Sequence, residues 1–386
     1  MNSIITELER SKATMTEWFE HLHRSPELSM REEKTAAYIE QVLRDIGGYQ
    51  IETGVGKHGI VASLKVGDGG KTIGLRADFD ALPIDEAEGL SCRSETPGVA
   101  HLCGHDGHAT MLLAAARHLA ATRNFNGTVR LIFQPGEETM EGGPAMIADG
   151  LFERFPVDAV FGLHNIPGLE KGKFYFREGN AMAAVDNWEI EITGKGGHGA
   201  FPNLAIDPVV AGSSLVMALQ TVVSRNIAPA NSAVVTVGAF QAGQAGNVIA
   251  QNAVLRLSIR TTTPQDREMV LGNVRRLVRQ QAESFGCVCL IREGIPGAVL
   301  TNDPEETRKA ADIAIAAFGE DRVCVQGPAY LASEDFAFML QERKGTYCFI
   351  GNGNSQFVHH PGYVFDTDIL PVGAAYWVAL TEGYLR

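Results

Sequence analysis

The hydrophobic positions follow two periods that alternate along much of the chain. Short apolar runs are typical of buried strands, whereas apolar residues that recur every three or four positions are typical of helices. The first helix ends before Pro26. The predicted strands cover residues 60–64, 72–75, 128–133, 157–163 and 346–350, and the predicted helices cover residues 15–22, 32–43, 109–121, 303–318 and 371 onward. This alternation predicts an α/β fold with a mostly parallel sheet and helices on both faces.

The order of predicted elements changes in the middle of the chain. A strand with strict polar–apolar alternation at residues 187–193 is followed by a helix, two strands, a helix and a strand. These later elements cover residues 208–224, 233–240, 253–261, 265–284 and 287–292. The order β-α-β-β-α-β is that of the ferredoxin-like motif. We therefore predict an α/β domain made of residues 1–181 and 296–386, interrupted by a ferredoxin-like satellite domain at residues 182–295.

The composition mainly excludes classes of protein. Hydrophobic residues make up 45% of the 386 residues and charged residues 20%, which suits a chain with a large core. The formal net charge is −13, which argues against a nucleic acid or an anionic membrane as the main partner. Six cysteines without a CxxC pair do not form a disulfide framework. With no recognisable signal peptide or membrane-spanning stretch, we expect a soluble, cytoplasmic protein.

Residues of metal-binding types follow the predicted strands of the α/β domain or stand in its loops. Ligands of open α/β sheets bind beyond the carboxyl ends of the strands, so these side chains are expected to lie together. In chain order they are Asp78, Asp80, Cys103, His105, Glu137, Glu138, His164, His359 and His360.

Each of these residues has an ordinary structural explanation when it is taken alone, since paired glutamates are usually solvated and histidines often lie near helix starts. Their coincidence at one sheet edge favours a metal site. Thiolate, imidazole and carboxylate ligands together suit Zn, Mn, Co or Ni rather than Mg or Ca. A thiolate and an imidazole from residues 101–108, one of the two adjacent glutamates, a histidine at a strand end and a histidine in the last loop make five candidate ligands. Five ligands exceed one tetrahedral site, which predicts two divalent metal ions per subunit.

Six segments carry a family resemblance. The chain resembles the hippurate hydrolase and N-acyl-amino-acid amidohydrolase family, which includes the auxin-conjugate hydrolases of plants and belongs to the aminoacylase and carboxypeptidase type of dinuclear metallohydrolases. The resemblance runs from residue 23 to the terminal helix. The segments are RADFDALP (76–83), HLCGHDGH (101–108), FQPGEE (133–138), GLHN (162–165), GKGGHGAFP (194–202) and VHHPGYVF (358–365).

The resemblance implies roles for residues of the α/β domain. It places the general base on Glu137 and gives Asp80 the role of orienting a ligand. Asp78 stands where wider relatives carry a ligand histidine, so it remains a candidate for an extra ligand. His360 follows His359 where the family usually has Asn or Ser, which leaves two candidates for the last ligand. The implied metal ligands are Cys103, His105, Glu138, His164 and His359.

The resemblance also implies roles for the satellite domain. A glycine-rich loop by itself favours an ordinary turn, but the matching histidine of the family, here His198, polarises the scissile carbonyl, often across a dimer interface. Asn247 and Arg260 are candidates for binding the substrate's carboxylate, and the guanidinium is the better match because it donates two parallel hydrogen bonds. The satellite is thus expected to be a lid and dimerisation domain of a homodimer or a dimer of dimers.

The activity that the resemblance implies is metal-dependent hydrolysis of small-molecule N-acyl amino acids to a carboxylic acid and a free amino acid. Glu137 would take a proton from the attacking water and deliver it to the leaving amine. One alternative is a metallopeptidase of the dipeptidase or carboxypeptidase type. Another is a hydrolase with Cys103 as nucleophile and His105 as base, which leaves the other metal-binding residues without a role. A third is a binding protein that retains metal, which has no use for a free base.

Overall fold

The computed structural model describes residues 3–386, and these residues form two compact units. The first unit comprises the described residues up to Ala181 together with Thr301–Ala329 and Asp335–Arg386. The second comprises Met182–Leu300 and Tyr330–Glu334. The second unit therefore extends past residue 295, where the predicted satellite domain ends. A Cβ atom at Gly297 would lie 2.2 Å from the carbonyl oxygen of Val185, so the chain runs closely along this unit beyond its last strand.

Strands occur in both units. In chain order they are β1 Gln50–Val55, β2 Gly59–Val66, β3 Thr72–Asp78, β4 Gly127–Gln134, β5 Ala159–Ile166, β6 Phe174–Tyr175, β7 Gly179–Met182, β8 Ala184–Thr193, β9 Gly197–His198, β10 Ala233–Ala242, β11 Val248–Ile249, β12 Asn252–Thr261, β13 Val288–Glu293, β14 Leu300–Asn302, β15 Val323–Cys324 and β16 Gly345–Gly351.

The α-helices fall in both units as well, and none of those described is long and apolar enough to cross a membrane. In chain order they are α1 Ser3–Glu9, α2 Lys12–Arg24, α3 Glu33–Ile46, α4 His105–Thr122, α5 Gly142–Ala148, α6 Leu151–Arg154, α7 Pro208–Asn226, α8 Pro264–Ser284, α9 Pro304–Phe318, α10 Phe336–Glu342 and α11 Leu370–Tyr384.

The sheet of the first unit has the strand order β1-β2-β4-β3-β5-β16-β6-β15. Its four central strands, β4, β3, β5 and β16, run parallel to one another. Strands β1 and β2 join antiparallel at one side, and β6 is antiparallel to β16. Every residue of β5 is buried, as expected for a parallel strand covered on both faces. The predicted mostly parallel sheet is confirmed, with antiparallel pairs towards its edges.

Two consecutive residues of β5 lie next to helices on opposite faces of the sheet. The ring of Phe161 lies 5.6 Å from that of Tyr384 on α11. A Cβ atom on the next residue, Gly162, would lie 3.4 Å from the Phe336 ring of α10. Because successive side chains of a strand point to opposite faces, α11 and α10 cover the two faces of the sheet.

Helices α4 and α11 form the centre of the core on one face. Both are buried over almost their whole length, as expected for helices that are apolar on all sides. A Cβ atom at Gly373 would lie 2.2 Å from the sulfur of Met111, so a glycine allows the two helices to approach closely. This packing fixes the N-terminus of α4, where His105 begins the helix.

The second unit contains a four-stranded antiparallel sheet with the order β10-β12-β8-β13. Helices α7 and α8 contribute to one core with the apolar face of β8, formed by Trp188, Ile190 and Ile192. The chain order of these elements is β8-α7-β10-β12-α8-β13, the ferredoxin-like arrangement. Strands β9 and β11 form a separate two-stranded sheet.

Candidate metal centre

A left-handed glycine turn carries the first two candidate ligands. Gly104 has a φ of 95° and precedes α4 directly. A Cβ atom here would lie 2.3 Å from the Asn165 side-chain oxygen and 2.6 Å from the Tyr363 hydroxyl, so only glycine fits. The turn places the Cys103 Sγ 3.4 Å from the His164 Nε2. Cys103 and His105 are both buried.

The tautomer of His105 is set by Asp80. The Nδ1–H of His105 donates to the Asp80 carboxylate and to its backbone carbonyl, both at 3.0 Å. This leaves Nε2 as the atom that can bind a metal. Nε2 is buried and has no hydrogen-bond partner among the described residues. It lies 3.9 Å from an oxygen of each of Asp78, Glu137 and Glu138.

The two glutamates lie on the turn that follows β4. The backbone N–H of Glu138 donates to the Asp80 carboxylate at 3.0 Å. One oxygen of the Glu138 side chain lies 3.3 Å from the Nε2 of His359, and the other is buried without a hydrogen-bond partner in residues 3–386. Glu137 is only 6% exposed. Both carboxylates therefore border the same space as His105.

The remaining two histidines reach the cluster from different elements. His164 lies in β5, and its Nδ1–H donates to the Asn165 carbonyl at 2.6 Å, which directs Nε2 to Cys103. Burial, together with the charge of His108, holds the pKa of His164 well below its usual value, so the imidazole is neutral, the form that binds metals. His359 has a φ of 67°, a conformation rare for residues other than glycine, and its N–H donates to the Leu102 carbonyl at 2.7 Å.

His359 and His360 differ in their surroundings. The His359 side chain lies among the candidate ligands, next to Cys103 and Glu138. The Nδ1 of His360 instead accepts a hydrogen bond from the Gly362 N–H at 3.0 Å. The geometry therefore brings His359 to the cluster.

The predicted ligands form overlapping groups whose ligand atoms lie within 4.8 Å of one another. Cys103 belongs to two of these groups and His105 to two, so the clusters share members. The charge of the cluster also suits a cation. Burial disfavours a charged His105, yet the neighbouring carboxylates, first of all Asp78, hold the pKa of His105 well above its usual value. The groups are Cys103–His105–His164, Cys103–Glu138–His359 and His105–Glu137–Glu138.

Asp78 has other partners besides this cluster. Its ligand atoms also lie within 4.8 Å of those of His105 and His108. One oxygen, however, accepts from the guanidinium of Arg76 at 2.5 Å, and the other accepts from the Nδ1–H of His108 at 2.6 Å. Both oxygens are thus engaged, and Asp78 balances a buried cation.

Arg76 is a functional candidate that our sequence analysis did not single out. Its guanidinium is buried and also donates to Gln134 at 2.9 Å and to Asp335 at 3.0 Å. Asp335 in turn accepts from the Gly143 N–H at 2.7 Å. Arg76 lies within the RADFDALP segment, so the resemblance could have indicated it. Asp335 lies in no segment with a recognisable pattern.

Residues of the N-terminal segment form hydrogen bonds with carboxylates that surround the cluster. Both ring nitrogens of His23 donate to buried carboxylates, Nδ1 to Asp106 at 2.7 Å and Nε2 to Glu86 at 2.9 Å. Burial disfavours the charged imidazolium, but these hydrogen bonds and charges outweigh it and raise the pKa of His23 to about 10. The hydroxyl of Ser29 donates to Asp80 at 2.7 Å. These contacts join segments that are distant in sequence, so no local sequence pattern predicted them.

The predicted residues of the second unit lie in two places. His198 is paired with Val248 across β9 and β11, and the Gly199 N–H donates to the Asn247 carbonyl at 2.8 Å, so His198 and Asn247 lie close together. The Nδ1 of His198 accepts from the Ala200 N–H at 3.0 Å, which leaves the proton on Nε2 in the neutral ring. Arg260 lies on β12, where it donates to the Leu331 carbonyl at 2.7 Å.

Comparisons with known proteins show the family of this chain. The model of peptidase family M20/M25/M40 matches residues 74–383. The chain belongs to the M20/M25/M40 peptidase family. The family resemblance found in the sequence is thereby confirmed.

Named relatives cover almost the whole chain. A hippurate hydrolase of Campylobacter jejuni is 41% identical over 95% of this chain and 95% of its own. An N-acetyl-L-cysteine deacetylase of Bacillus subtilis is 37% identical over 93% of this chain and 85% of its own. The crystal structure of the Bacillus subtilis YXEP protein, described as a dinuclear metal binding peptidase from the M20 family, has a TM-score of 0.84 at 30% identity and covers 98% of this chain and 99% of its own.

The raised pKa of His23 predicts a pH-dependent contribution to stability. Because the folded-state pKa of about 10 lies above the unfolded value of about 6.5, the contribution is complete below pH 6.5 and is lost as the pH rises towards 10. His23→Gln should therefore lower the melting temperature strongly at pH 6 and progressively less up to pH 10. Calorimetry over this range checks it, with the exposed His21→Gln on the same helix as control. A difference from the wild type that stays constant with pH would contradict the assignment.

Proposed function

We propose that this chain is a metal-dependent amidohydrolase that cleaves the amide bond of N-acyl amino acids. The observation that carries the proposal is the buried cluster of overlapping ligand groups with Glu137 beside it. The named activities of the relatives support it, since they include hippurate hydrolysis and the deacetylation of N-acetylcysteine and N-acetyldiaminopimelate. Each of these reactions releases an amino acid from an acyl group.

Five residues would hold two divalent metal ions, and the buried, unpartnered atoms of His105 and Glu138 fit this role. Cys103 belongs to two of the groups of possible ligands, one with His105 and His164 and one with Glu138 and His359. When bound, divalent ions act as Lewis acids that polarise a carbonyl and make water more acidic. The donor set favours Zn, Mn, Co or Ni. The proposed ligands are Cys103, His105, Glu138, His164 and His359.

Glu137 is the proposed general base and acid. Its carboxylate lies at the cluster, 3.9 Å from the Nε2 of His105, and it is nearly enclosed. It takes a proton from the attacking water and returns it to the nitrogen of the leaving amine. Asp80 keeps its supporting role, because its carboxylate holds the Nδ1–H of His105 and the N–H of Glu138.

The second unit is the proposed lid and dimerisation domain. With its proton on Nε2, His198 can donate a hydrogen bond to the oxyanion that develops on the substrate carbonyl. Asn247, beside it, and Arg260 are the proposed contacts for the substrate's carboxylate.

Self-association through the second unit is supported by its exposed apolar residues. Val288 is 69% exposed and Leu290 51% exposed on β13, at the edge of the four-stranded sheet, and Met217 is 72% exposed on α7. Exposed edge strands and apolar patches are typical of interaction surfaces. A homodimer or a dimer of dimers, acting on small molecules in the cytoplasm, is the proposed state.

A substrate screen tests the proposed function directly. Purified protein reconstituted with Zn, Mn, Co or Ni is assayed on N-benzoyl, N-acetyl and indole-acetyl amino acids and on dipeptides. We expect turnover of N-acyl amino acids, its loss with a chelator and its return when metal is added. A cysteine hydrolase would keep its activity in chelator, and a binding protein would turn over none of the compounds. Preference for dipeptides would instead identify a peptidase.

The two neighbouring glutamates are expected to respond differently to the same substitution. Glu137→Gln should retain the metal content of the wild type but lose turnover by about 10²–10⁴-fold, because it removes the general base. Glu138→Gln should lose metal, because it removes a ligand. Metal content by mass spectrometry and steady-state kinetics check both. Equal metal loss in the two variants would overturn the division of roles.

His198→Ala is expected to keep its metal and its fold, because no proposed ligand is removed. Its kcat should fall by about 10²–10³-fold, the usual effect of deleting one oxyanion donor. Mixing it with Glu137→Gln chains tests whether the histidine acts in a neighbouring subunit, since a mixed dimer would then contain one complete site. Absence of restored activity despite subunit exchange would place the histidine's action within its own chain. Near-normal kcat in His198→Ala would remove it from the mechanism.

A further inference from the structure

Glu32 is a buried carboxylate to which neither the sequence nor the proposed mechanism assigns a role. It directly precedes α3 and has no exposed surface. One of its side-chain oxygens accepts two backbone hydrogen bonds, from Met30 at 2.9 Å and from Gly136 at 2.8 Å. The other oxygen is buried and has no hydrogen-bond partner among residues 3–386. Glutamate is almost never fully buried in a protein unless it is paired.

The contact with Gly136 places Glu32 against the turn that carries Glu137 and Glu138. Gly136 has a φ of 62°, and its carbonyl accepts from the N–H groups of Glu141 and Gly142, which closes the turn. Glu32 thus holds the residue directly before Glu137. On the other side of Glu137, the N–H of Glu138 is held by the Asp80 carboxylate.

The segment that contains Glu32 is itself held tightly in place. Met30 adopts a φ of 61°, a conformation that non-glycine residues seldom take. Its carbonyl accepts from the Lys57 ammonium at 2.5 Å, and its sulfur would lie 2.6 Å from a Cβ atom at Gly136. The Met30 side chain therefore packs against the glutamate turn, and Glu32 joins the segment to the turn through hydrogen bonds.

The protonation state of the Glu32 carboxyl is consistent with its accepting these two hydrogen bonds. Burial, reinforced by the charge of Asp80, raises the pKa of Glu32 to about 7. The two N–H groups need only one acceptor oxygen. A carboxylic acid or an amide supplies this oxygen as well as a carboxylate does.

We propose that Glu32 is a positioning residue, which fixes the backbone on one side of Glu137 as Asp80 does on the other. With both ends of this short stretch held, the Glu137 carboxylate is kept at its place in the cluster. The inference rests on the proposed function for its effect on catalysis, but the clamp on the Gly136 N–H exists independently of any substrate.

The test compares Glu32→Ala, which removes the acceptor, with Glu32→Gln, which retains it. A misplaced base lowers kcat, so Glu32→Ala should lose about 10- to 100-fold in kcat with little change in KM. Glu32→Gln should stay close to the wild type. Glu32→Asp, which keeps the charge but is one methylene shorter, should resemble Glu32→Ala and replaces it if that variant does not fold. Glu33→Ala, at the exposed neighbouring position, is the matched control.

A second measurement does not depend on activity or on metal. Hydrogen exchange of the segment 134–142 is followed in the metal-free full-length protein. The Gly136 N–H should exchange at least about tenfold faster in Glu32→Ala than in the wild type, since a protected hydrogen bond is lost, and near the wild-type rate in Glu32→Gln.

Several results would overturn the proposal. They are a kcat unchanged in Glu32→Ala, unchanged exchange at Gly136, a Glu32→Gln variant as impaired as Glu32→Ala, or a loss of activity that disappears once it is expressed per folded, metal-loaded chain. A wild-type protein that hydrolyses no N-acyl amino acid would refute the proposed function instead. In that case the exchange measurement still decides whether Glu32 holds the turn.

Discussion

The carboxylate of Asp80 joins three parts of the chain that are far apart in sequence. It accepts from the hydroxyl of Ser29, the Nδ1–H of His105 and the N–H of Glu138, at 2.7, 3.0 and 3.0 Å. Burial by itself would raise the pKa of Asp80, but these hydrogen bonds and the charge of His105 outweigh it and lower the pKa. An ionised carboxylate in this position fixes a ligand tautomer and the glutamate turn together. The positions of His105 and of the glutamate turn in the candidate metal centre therefore depend on this one group.

A second constraint is the balance of charge in a buried space. The cluster concentrates carboxylates, a thiol and imidazoles at the carboxyl ends of β3, β4 and β5. Arg76 offsets part of this negative charge through Asp78 and Asp335, and His23 offsets another part through Asp106 and Glu86. Among the candidate ligands, His105 and Glu138 each keep a buried atom without a hydrogen-bond partner in the part of the chain that the structure describes. Since a buried polar atom without a partner is unfavourable, these two atoms are suited to binding cations.

Much of the fold and many of the candidate ligands could be predicted from the sequence, because the informative residues occur in short continuous segments. The central strands were visible as apolar runs, and the order of elements in the second unit was visible from period and spacing. Strands β6 and β15 were not predicted because two residues are too short to show a period, and β1 was missed because most of it is exposed.

The supporting residues of the site could not be predicted in the same way. Ser29 and Glu32 act on loops about 50 and 100 positions away, and contacts of this kind leave no periodic signal. The choice between His359 and His360 likewise required the backbone, since only the conformation at His359 shows which ring turns to Glu138.

The central claim is that five side chains bind two metal ions while Glu137 binds neither ion and transfers protons. Anomalous diffraction from crystals of the protein loaded with Mn or Zn, measured at the absorption edge of that metal, tests it most directly. The account predicts two anomalous peaks per chain, bonded to Cys103, His105, Glu138, His164 and His359, with the Glu137 carboxylate bonded to neither ion. A single peak, peaks at other side chains, or Glu137 as a ligand in place of Glu138 would contradict it.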